Sequence, residues 1–148
     1  MIRIPAPCIE TIKAAAETAY PDECCGLLVG RDGDAGDIVV TAVAPSPNVA
    51  RGDHADSFEV DPQVRFDVMR RLDRKNAEGG TPTRIVGHYH SHPDHPPQPS
   101  ARDLDMVYEP ELVWVIVAVD DGHAVGMRAH RLNEAANRFD EIELAVAP

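Results

Sequence analysis

The sequence predicts a single α/β domain with a mixed β-sheet and helices on both of its faces. Short apolar runs typical of strands alternate along the chain with segments whose apolar residues fall three or four positions apart, as on one face of a helix. The chain has 148 residues, of which 43% are hydrophobic and 26% charged, so it can bury one core and does not resemble a disordered chain. Alternating strands and helices are typical of α/β architectures, and we expect residues 1–148 to form one domain.

Two segments have the apolar spacing of amphipathic helices. The first runs from about Pro7 to Tyr20 and ends at Pro21. Its apolar positions fall three or four residues apart: Ile9, Ile12, Ala16 and Ala19. The second begins at Asp61-Pro62, where Asp can cap the helix and Pro occupies a first-turn position that needs no amide donor. Its apolar face is carried by Val64, Val68, Met69 and Leu72, and the helix frays towards Asn76 and Gly79-Gly80.

Apolar and β-branched runs predict the strands of the sheet. The main predicted strands cover residues 24–29, 38–44, 84–90, 112–119 and 124–131. We also expect a short strand at Ser57–Val60 and a last strand from Phe139 to Val146. Residues 45–56 and the proline-rich residues 92–99 read as loops, and a short helix is predicted from Ser100 to Tyr108.

The charge of the chain argues against two classes of partner. Fourteen basic and twenty-five acidic residues give a net charge of −11, which disfavours binding to nucleic acid or to an anionic membrane. No apolar run reaches the length of about 18 residues that a membrane-spanning helix needs, and no secretory signal is evident. The cysteines Cys8, Cys24 and Cys25 are odd in number, so we expect reduced thiols and a cytoplasmic protein. The oligomeric state is not indicated.

One segment combines residues that can bind a metal ion. It reads His90-Ser91-His92-Pro93 and continues, after five residues, as Pro99-Ser100-Ala101-Arg102-Asp103. Side chains two residues apart on a strand point to the same face, so His90 and His92 project together if the strand persists to Pro93. A catalytic zinc site commonly takes three protein ligands and a water molecule, and Asp103 is the candidate for the third ligand.

Each part of this pattern also has a simpler interpretation. Ser100-x-x-Asp103 has the form of a helix capping box, and paired histidines at a strand end are often only partly exposed polar residues. Glu23 could be a solvated carboxylate that follows a helix-ending proline. The combination of these residues, with their spacing, is far more specific than any one of them.

The combined pattern closely resembles the signature of the JAMM (MPN+) metallopeptidases. The resemblance extends upstream to Tyr20–Gly30, which resembles the strand carrying the catalytic Glu of that family, and to Asn48 and Ser57–Pro62. It therefore covers nearly the whole chain in order. It implies the JAB/MPN fold, a curved mixed sheet with helices on both faces that is similar to the cytidine deaminase fold.

The resemblance also implies the roles of the site residues. His90, His92 and Asp103 would bind one zinc ion per chain, although the sequence alone does not select zinc over another metal. Glu23 would act as general base towards a water molecule and then as general acid towards the leaving amine. The hydroxyl group of Ser100 would help to stabilise the oxyanion of the tetrahedral intermediate.

The implied substrate is a small β-grasp protein, either ubiquitin-like or a sulfur carrier. Hydrolysis would cut the amide or isopeptide bond after its Gly-Gly tail and release, for example, a C-terminal cysteine or a short peptide. An extended tail of this kind could add to a sheet edge. The sequence does not indicate which carrier is used or which pathway is served.

Two other functions are compatible with parts of the pattern. One is a non-catalytic, zinc-containing MPN interaction module, which the presence of Glu23 and Ser100 argues against. The other is a zinc deaminase, which needs His-x-Glu and a later Pro-Cys-x-x-Cys, and neither motif occurs here.

The remaining histidines and the paired cysteines are predicted to lie outside the metal site. His88 shares a strand face with His90, and we expect it to be a structural histidine, although a role beside the site stays open. His95 could line the substrate entrance. The others have no identifiable partners in the sequence: His54, His123 and His130. Cys24 and Cys25 read as buried strand cysteines.

Overall fold

The computed structural model of the chain describes residues 1–148 and contains one eight-stranded sheet, two long helices and one short helix. The strands are β1 (Ile2–Pro5), β2 (Cys25–Asp32), β3 (Ile38–Ser46), β4 (Arg84–Pro93), β5 (Val113–Asp120), β6 (His123–Asn133), β7 (Arg138–Ile142) and β8 (Leu144–Ala147). The helices are α1 (Ala6–Ala19), α2 (Pro62–Ala77) and α3 (Ala101–Asp105), and a 3₁₀ turn covers Asp34–Gly36. No helix is both long and apolar enough to cross a membrane.

The sheet is mixed and strongly curved. Its strand order is β7-β6-β5-β4-β2-β3-β1-β8, with β1 parallel to β3 and β8, β4 parallel to β5, and the other neighbours antiparallel. β7 and β8 are joined through Glu143 alone and yet lie at opposite edges of the sheet. The two edges must therefore meet near this residue, whose carbonyl accepts a 2.8 Å hydrogen bond from the Ile2 backbone N–H.

Each face of the sheet is covered by one long helix, as the sequence predicts. Ile9, Ile12 and Ala16 of α1 pack in the larger core, which contains alternate residues of β5. Val68 and Leu72 of α2 pack on the opposite face, in a smaller cluster with residues of β2 and β3. The fold class is confirmed, and the pattern of apolar spacing explains it, because both helix faces were visible in the sequence.

Several predicted elements differ from those of the structure. The prediction of a strand at Ser57–Val60 is wrong, since only Val60 forms an isolated β-bridge, to Asn48. The Glu59 backbone N–H donates to the side chain of Asn48 and not to a neighbouring strand. The predicted strand Phe139–Val146 is two strands, β7 and β8. The short helix ends at Asp105 and not at Tyr108. β1 was not predicted, since its four residues carry little pattern.

Candidate metal centre

His90 and His92 lie on β4, the strand at the centre of the site. β4 continues to Pro93 and pairs with β2 on one side and β5 on the other, so both imidazoles are fixed by a buried strand. Tyr89 belongs to the core beneath α1, and the alternation of strand side chains sends the two histidines to the opposite face. Their Nε2 atoms are 3.1 Å apart, and both residues are buried.

Asp103 completes a three-residue cluster with the histidines. One carboxylate oxygen, Oδ2, lies 3.2 Å from His92 Nε2, and the other, Oδ1, lies 3.5 Å from His90 Nε2. Ser100 and Asp103 also form a reciprocal capping box. The Asp103 backbone N–H donates to Ser100 Oγ at 3.1 Å, and the Ser100 backbone N–H donates to Asp103 Oδ2 at 2.9 Å. The capping and metal-binding interpretations of the motif are therefore compatible, because the cap fixes the carboxylate that faces the histidines.

The donor atoms of this cluster fit a metal ion. One donor atom from each of His90, His92 and Asp103 can be chosen so that all lie within 4.8 Å of one another. Two ligands about 2.05 Å from a tetrahedral zinc ion would be about 3.3 Å apart, close to the spacings in the cluster. The carbonyl of Pro96 lies 2.9 Å from His92 Nδ1, so Nδ1 carries the proton and the Nε2 lone pair faces the cluster.

Burial and hydrogen bonding set the charges of the cluster. Burial lowers the pKa of His90, which favours the neutral imidazole that binds a metal. Burial alone would raise the pKa of Asp103, but the neighbouring His90 and His92 hold it well below the ordinary value, so the carboxylate is ionised. Burial opposes the charged form of His92, yet its contacts with Asp103 and Pro96 raise its pKa.

Glu23 places a buried carboxyl group beside the cluster. It lies two residues before the start of β2, has only 5% of its surface exposed, and its Oε1 atom is buried without a hydrogen-bond partner. Burial raises the pKa of Glu23 to about 8. Two contacts hold its backbone: its N–H donates to the carbonyl of His54 at 2.6 Å, and its carbonyl accepts from Asn48 Nδ2 at 3.1 Å. The solvated-carboxylate interpretation is therefore wrong.

Two cavities flank the cluster and share Arg102. The first, which we call the Glu23 cavity, has a volume of about 420 Å³. It is lined by Glu23, Ala55, Asp56, His92, Pro93, His95, Pro96, Gln98, Pro99, Ser100 and Arg102. The second, the Phe58 cavity, has a volume of about 450 Å³. It is lined by Ala50, Arg51, Gly52, Ser57, Phe58, Glu59, Arg102, Asp103, Asp105 and Met106.

The histidines other than His90 and His92 lie outside the metal-binding cluster. His88 lies outside the cluster, packs edge-on against Trp114 with ring centroids 4.3 Å apart, and has a pKa lowered to about 3 by burial. His95 is exposed and lines the Glu23 cavity. His130 has a partner that the sequence did not reveal, because its Nε2 lies 3.0 Å from the carbonyl of Pro97. Cys24 and Cys25 are buried free thiols, as predicted.

Several residues around the site were not predicted to have a role. The Phe58 ring stacks on His90, with centroids 4.2 Å apart and planes inclined by 14°. Ser91 Oγ accepts a 2.8 Å hydrogen bond from the Cys24 backbone N–H and so joins β4 to the residue after Glu23. Asn48 and Phe58 fall in the segments that carried the family resemblance, which is the only sequence signal that marks them.

The position of β4 in the sheet limits where an extended substrate tail could add a strand. β4 is paired on both sides, and the free edges of the sheet belong to β7 and β8. Residues 87–90 of β4 pair with both neighbours, so an extended tail cannot add a strand there. The backbone of the irregular segment 57–59, in the wall of the Phe58 cavity, lies outside the sheet.

Comparison with known proteins identifies the family. A family model described as prokaryotic homologs of the JAB domain matches residues 5–133. A desampylase of Haloferax volcanii is 33% identical over 126 residues, covering 85% of this chain and 79% of the relative. A CysO-cysteine peptidase of Mycobacterium tuberculosis is 29% identical over 136 residues, covering 90% of this chain and 84% of the relative. The chain belongs to the prokaryotic JAB domain family.

Solved structures agree with this assignment. A solution structure of a Desulfitobacterium hafniense protein has a TM-score of 0.81 and 29% identity, and the match covers 99% of this chain and 93% of that one. A crystal structure of a JAB1/MPN domain protein from Archaeoglobus fulgidus has a TM-score of 0.60 at 22% identity, covering 99% and 98% of the two chains, and supports the fold alone.

These findings confirm the JAB/MPN fold and the prediction of a JAMM-type hydrolase. The family and the cluster of His90, His92 and Asp103 together indicate a site for a metal ion.

Proposed function

We propose that the chain is a zinc-dependent metallopeptidase acting on a small β-grasp protein of the ubiquitin-like or sulfur-carrier type. It hydrolyses the amide or isopeptide bond that follows the Gly-Gly tail of this substrate. The observation that carries the proposal is the buried, unpaired carboxyl group of Glu23 beside the cluster of His90, His92 and Asp103. The names of two relatives, a desampylase and a CysO-cysteine peptidase, support this substrate class.

His90, His92 and Asp103 are the proposed ligands of the zinc ion. Two imidazoles and one carboxylate are a donor set that catalytic zinc sites use. When bound, zinc supplies Lewis acidity: it polarises the scissile carbonyl and makes water acidic enough to lose a proton near neutral pH. The neutral state of His90 and the ionised state of Asp103 leave both residues ready to coordinate.

Glu23 is the proposed general base and general acid. Its carboxylate accepts a proton from the attacking water, and the protonated carboxyl then donates this proton to the leaving nitrogen. Water thus adds a hydroxyl group to the glycine carbonyl carbon and a hydrogen to the released amine, and the C–N bond breaks. The pKa of Glu23, raised to about 8 by burial, lies near the pH range in which both transfers are needed.

Ser100 is the proposed donor to the oxyanion. Its Oγ accepts the backbone N–H of Asp103, so the hydroxyl hydrogen is not used by the capping box and can point into the Glu23 cavity. A fixed donor at this position stabilises negative charge as it develops on the former carbonyl oxygen.

The two cavities suggest how the substrate lies. Glu23 and Ser100 line only the Glu23 cavity, which we assign to the leaving group, and the carrier tail then lies in the Phe58 cavity. We treat residues 1–148 as one catalytic domain. The three free cysteines support a place in the cytoplasm, where thiols stay reduced.

The test is intact-mass spectrometry of a β-grasp carrier that ends in Gly-Gly followed by cysteine or a short peptide. It is incubated with the zinc-loaded protein, with Glu23→Gln, and with Glu10→Gln, a matched change at an exposed residue of α1. We expect loss of the extension with the wild type and Glu10→Gln, and a rate at least about 100-fold lower with Glu23→Gln.

Zinc content is measured on the same samples by mass spectrometry of the folded protein. Glu23→Gln should retain one zinc per chain, since Glu23 is not a proposed ligand. An intact carrier in every sample, with zinc bound, would contradict the substrate assignment. Equal turnover by Glu23→Gln and the wild type would contradict the assigned role of Glu23. Failure of all ubiquitin-like substrates would favour the interaction module.

A further inference from the structure

Arg102 is the feature of the site that the proposed mechanism does not use. It lies on the first turn of α3, between Ser100 and Asp103, and it lines both the Glu23 cavity and the Phe58 cavity. It is the one arginine in the wall of the Glu23 cavity, which contains no lysine. The two histidines there, His92 and His95, are a proposed ligand and an exposed loop residue.

The guanidinium group of Arg102 is available to a ligand. Its only polar contact is an ion pair with Asp56, in which Nη1 lies 3.6 Å from Oδ1. The two side chains are 56% and 64% exposed, and an ion pair this exposed is weak and easily rearranged. A guanidinium group has five N–H donors in a planar fork that matches a carboxylate, and none of them makes a hydrogen bond here.

The leaving group lies beside Arg102 if the proposed function is correct. Glu23 must reach the leaving nitrogen, and Glu23 lines the same cavity as Arg102. In a released C-terminal amino acid, the carboxyl carbon is two bonds from this nitrogen, at a distance of about 2.5 Å. Its negative charge therefore lies at the edge of the catalytic centre, where Asp56 and an ionised Glu23 would repel it. A nearby cation is needed there, and Arg102 supplies it.

We propose that Arg102 binds the α-carboxylate of the residue released from the carrier. The proposal rests on the peptidase function proposed above and restricts the range of bonds that the enzyme cleaves efficiently. The enzyme prefers a carrier extended by a single C-terminal residue with a free carboxylate to one extended by the same residue as an amide. It also prefers this substrate to an isopeptide-linked lysine, because no carboxylate of that lysine lies two bonds from the scissile nitrogen. Arg102 is thus a specificity-determining residue.

The experiment compares two forms of one substrate. A Gly-Gly-ended β-grasp carrier is prepared with one added alanine, either as the free acid or as the C-terminal amide, and kcat and KM are measured for both. We expect the wild type to favour the acid by about tenfold or more in kcat/KM. In Arg102→Gln this preference should disappear, mainly through a higher KM for the acid, and Arg102→Lys should restore part of it.

Arg128→Gln is the matched control. Arg128 is also an exposed arginine in an ion pair, with Glu141 at 3.0 Å, but it lies on β6 and lines neither cavity. It should keep the wild-type preference for the acid. Circular dichroism checks that Arg102→Gln and Arg102→Lys are folded.

The outcomes distinguish this inference from the function on which it rests. Equal cleavage of acid and amide by the wild type, or a preference that survives in Arg102→Gln, would overturn the role of Arg102 and leave the peptidase assignment intact. Cleavage of neither form by the wild type would overturn both. A preference lost in Arg102→Gln and kept in Arg128→Gln would support the carboxylate site.

Discussion

At His92, the ring nitrogen that faces away from the cluster is already hydrogen-bonded to the carbonyl of Pro96. At Asp103, one carboxylate oxygen accepts a hydrogen bond from the Ser100 backbone N–H. At Glu23, by contrast, the carboxylate has no such partner and only the backbone is held. Two of the proposed ligands, His92 and Asp103, are oriented by hydrogen bonds, and the proposed base is left with a carboxyl group that can exchange its proton.

The buried carboxyl group of Glu23 should make the stability of the metal-free protein depend on pH. Burial raises its pKa from 4.5 to about 8 in the folded state. Between these values the folded protein holds a proton that the unfolded chain has lost, so the free energy of unfolding falls as the pH rises, by at most about 1.4 kcal/mol per pH unit. Urea unfolding in the presence of chelator, at several pH values from 5 to 8, measures this slope.

The same titration of Glu23→Gln isolates the effect of this one group. The variant gains stability relative to the wild type as the pH increases, because its side chain does not ionise. The histidines of the cluster titrate in both proteins, so they enter the difference only through the coupling between His92 and Glu23. A difference that stays constant from pH 5 to pH 8 would show that Glu23 is not a buried acid.

Asn48 should affect turnover through the position of Glu23. Its Nδ2 donates to the carbonyls of Glu23 and Ser57, at 3.1 and 2.9 Å, and its Oδ1 accepts two backbone N–H groups. Asn48→Asp keeps the acceptors but removes the donors. We expect kcat to fall about tenfold or more with little change in KM or metal content, in steady-state assays on the carrier substrate.

Asn76→Asp is the control for this prediction. Asn76 makes a similar bridge far from the metal centre, with hydrogen bonds of 2.8 and 3.0 Å to the backbone of Thr83. Both variants should lose about 1–3 kcal/mol of stability, because each loses at least one partly buried hydrogen bond donated by the amide group. Only Asn48→Asp should lose turnover, and a normal kcat in that variant would contradict the positioning role.

At the scale of elements, the pairing of β4 with β5 fixes the two histidines. A Cβ atom on Gly87 of β4 would overlap the backbone oxygen of Val113 in β5, which cannot move without separating the strands. Gly87→Ala should therefore destabilise the protein by about 2 kcal/mol or more in urea unfolding. Gly126→Ala on β6, where the nearest atom is 3.8 Å away, should be tolerated, and equal effects would contradict this account.

The proline-rich loop that follows β4 is a second element on which the metal centre depends. Two consecutive carbonyls of this loop are hydrogen-bonded to histidines: that of Pro96 to His92 and that of Pro97 to His130. His130→Phe should lower the metal affinity about tenfold, measured by competition with a chelator, because His92 would lose part of its support. His130→Gln can still donate to the carbonyl and should bind nearly as the wild type does. His123→Phe, at an exposed residue, is the control.

Local pattern explains which elements were predictable. His90 and His92 were correctly placed on one strand face because the period of two is a local property of strands. The split of residues 139–146 into β7 and β8 was not predictable, because no Gly, Pro or Asn separates the two halves and only the curvature of the whole sheet sends them to opposite edges. His130 was missed for a similar reason: its partner Pro97 is 33 residues away.

At the scale of the whole molecule, the metal ion should contribute to stability. A ligand that binds only the folded state at 100 times its Kd adds about 2.7 kcal/mol to the free energy of unfolding. For a chain of this size, this corresponds to an increase in Tm of about 5–10 °C. Calorimetry with zinc and with chelator should show this shift for the wild type and not for His90→Ala, and equal shifts would contradict the proposed ligands.

The meeting of the sheet edges at Glu143 has a consequence for how the chain folds. β1 pairs with β8 in a register that matches Ile2 to Leu144, so this contact closes a loop of nearly the entire chain. Closing such a loop costs entropy before any contact offsets it, and topologies with pairings this distant fold slowly. During synthesis on the ribosome, the outer edge of β1 stays without a partner until β8 emerges, and this unpaired edge is where a nascent chain is most exposed to association with its neighbours.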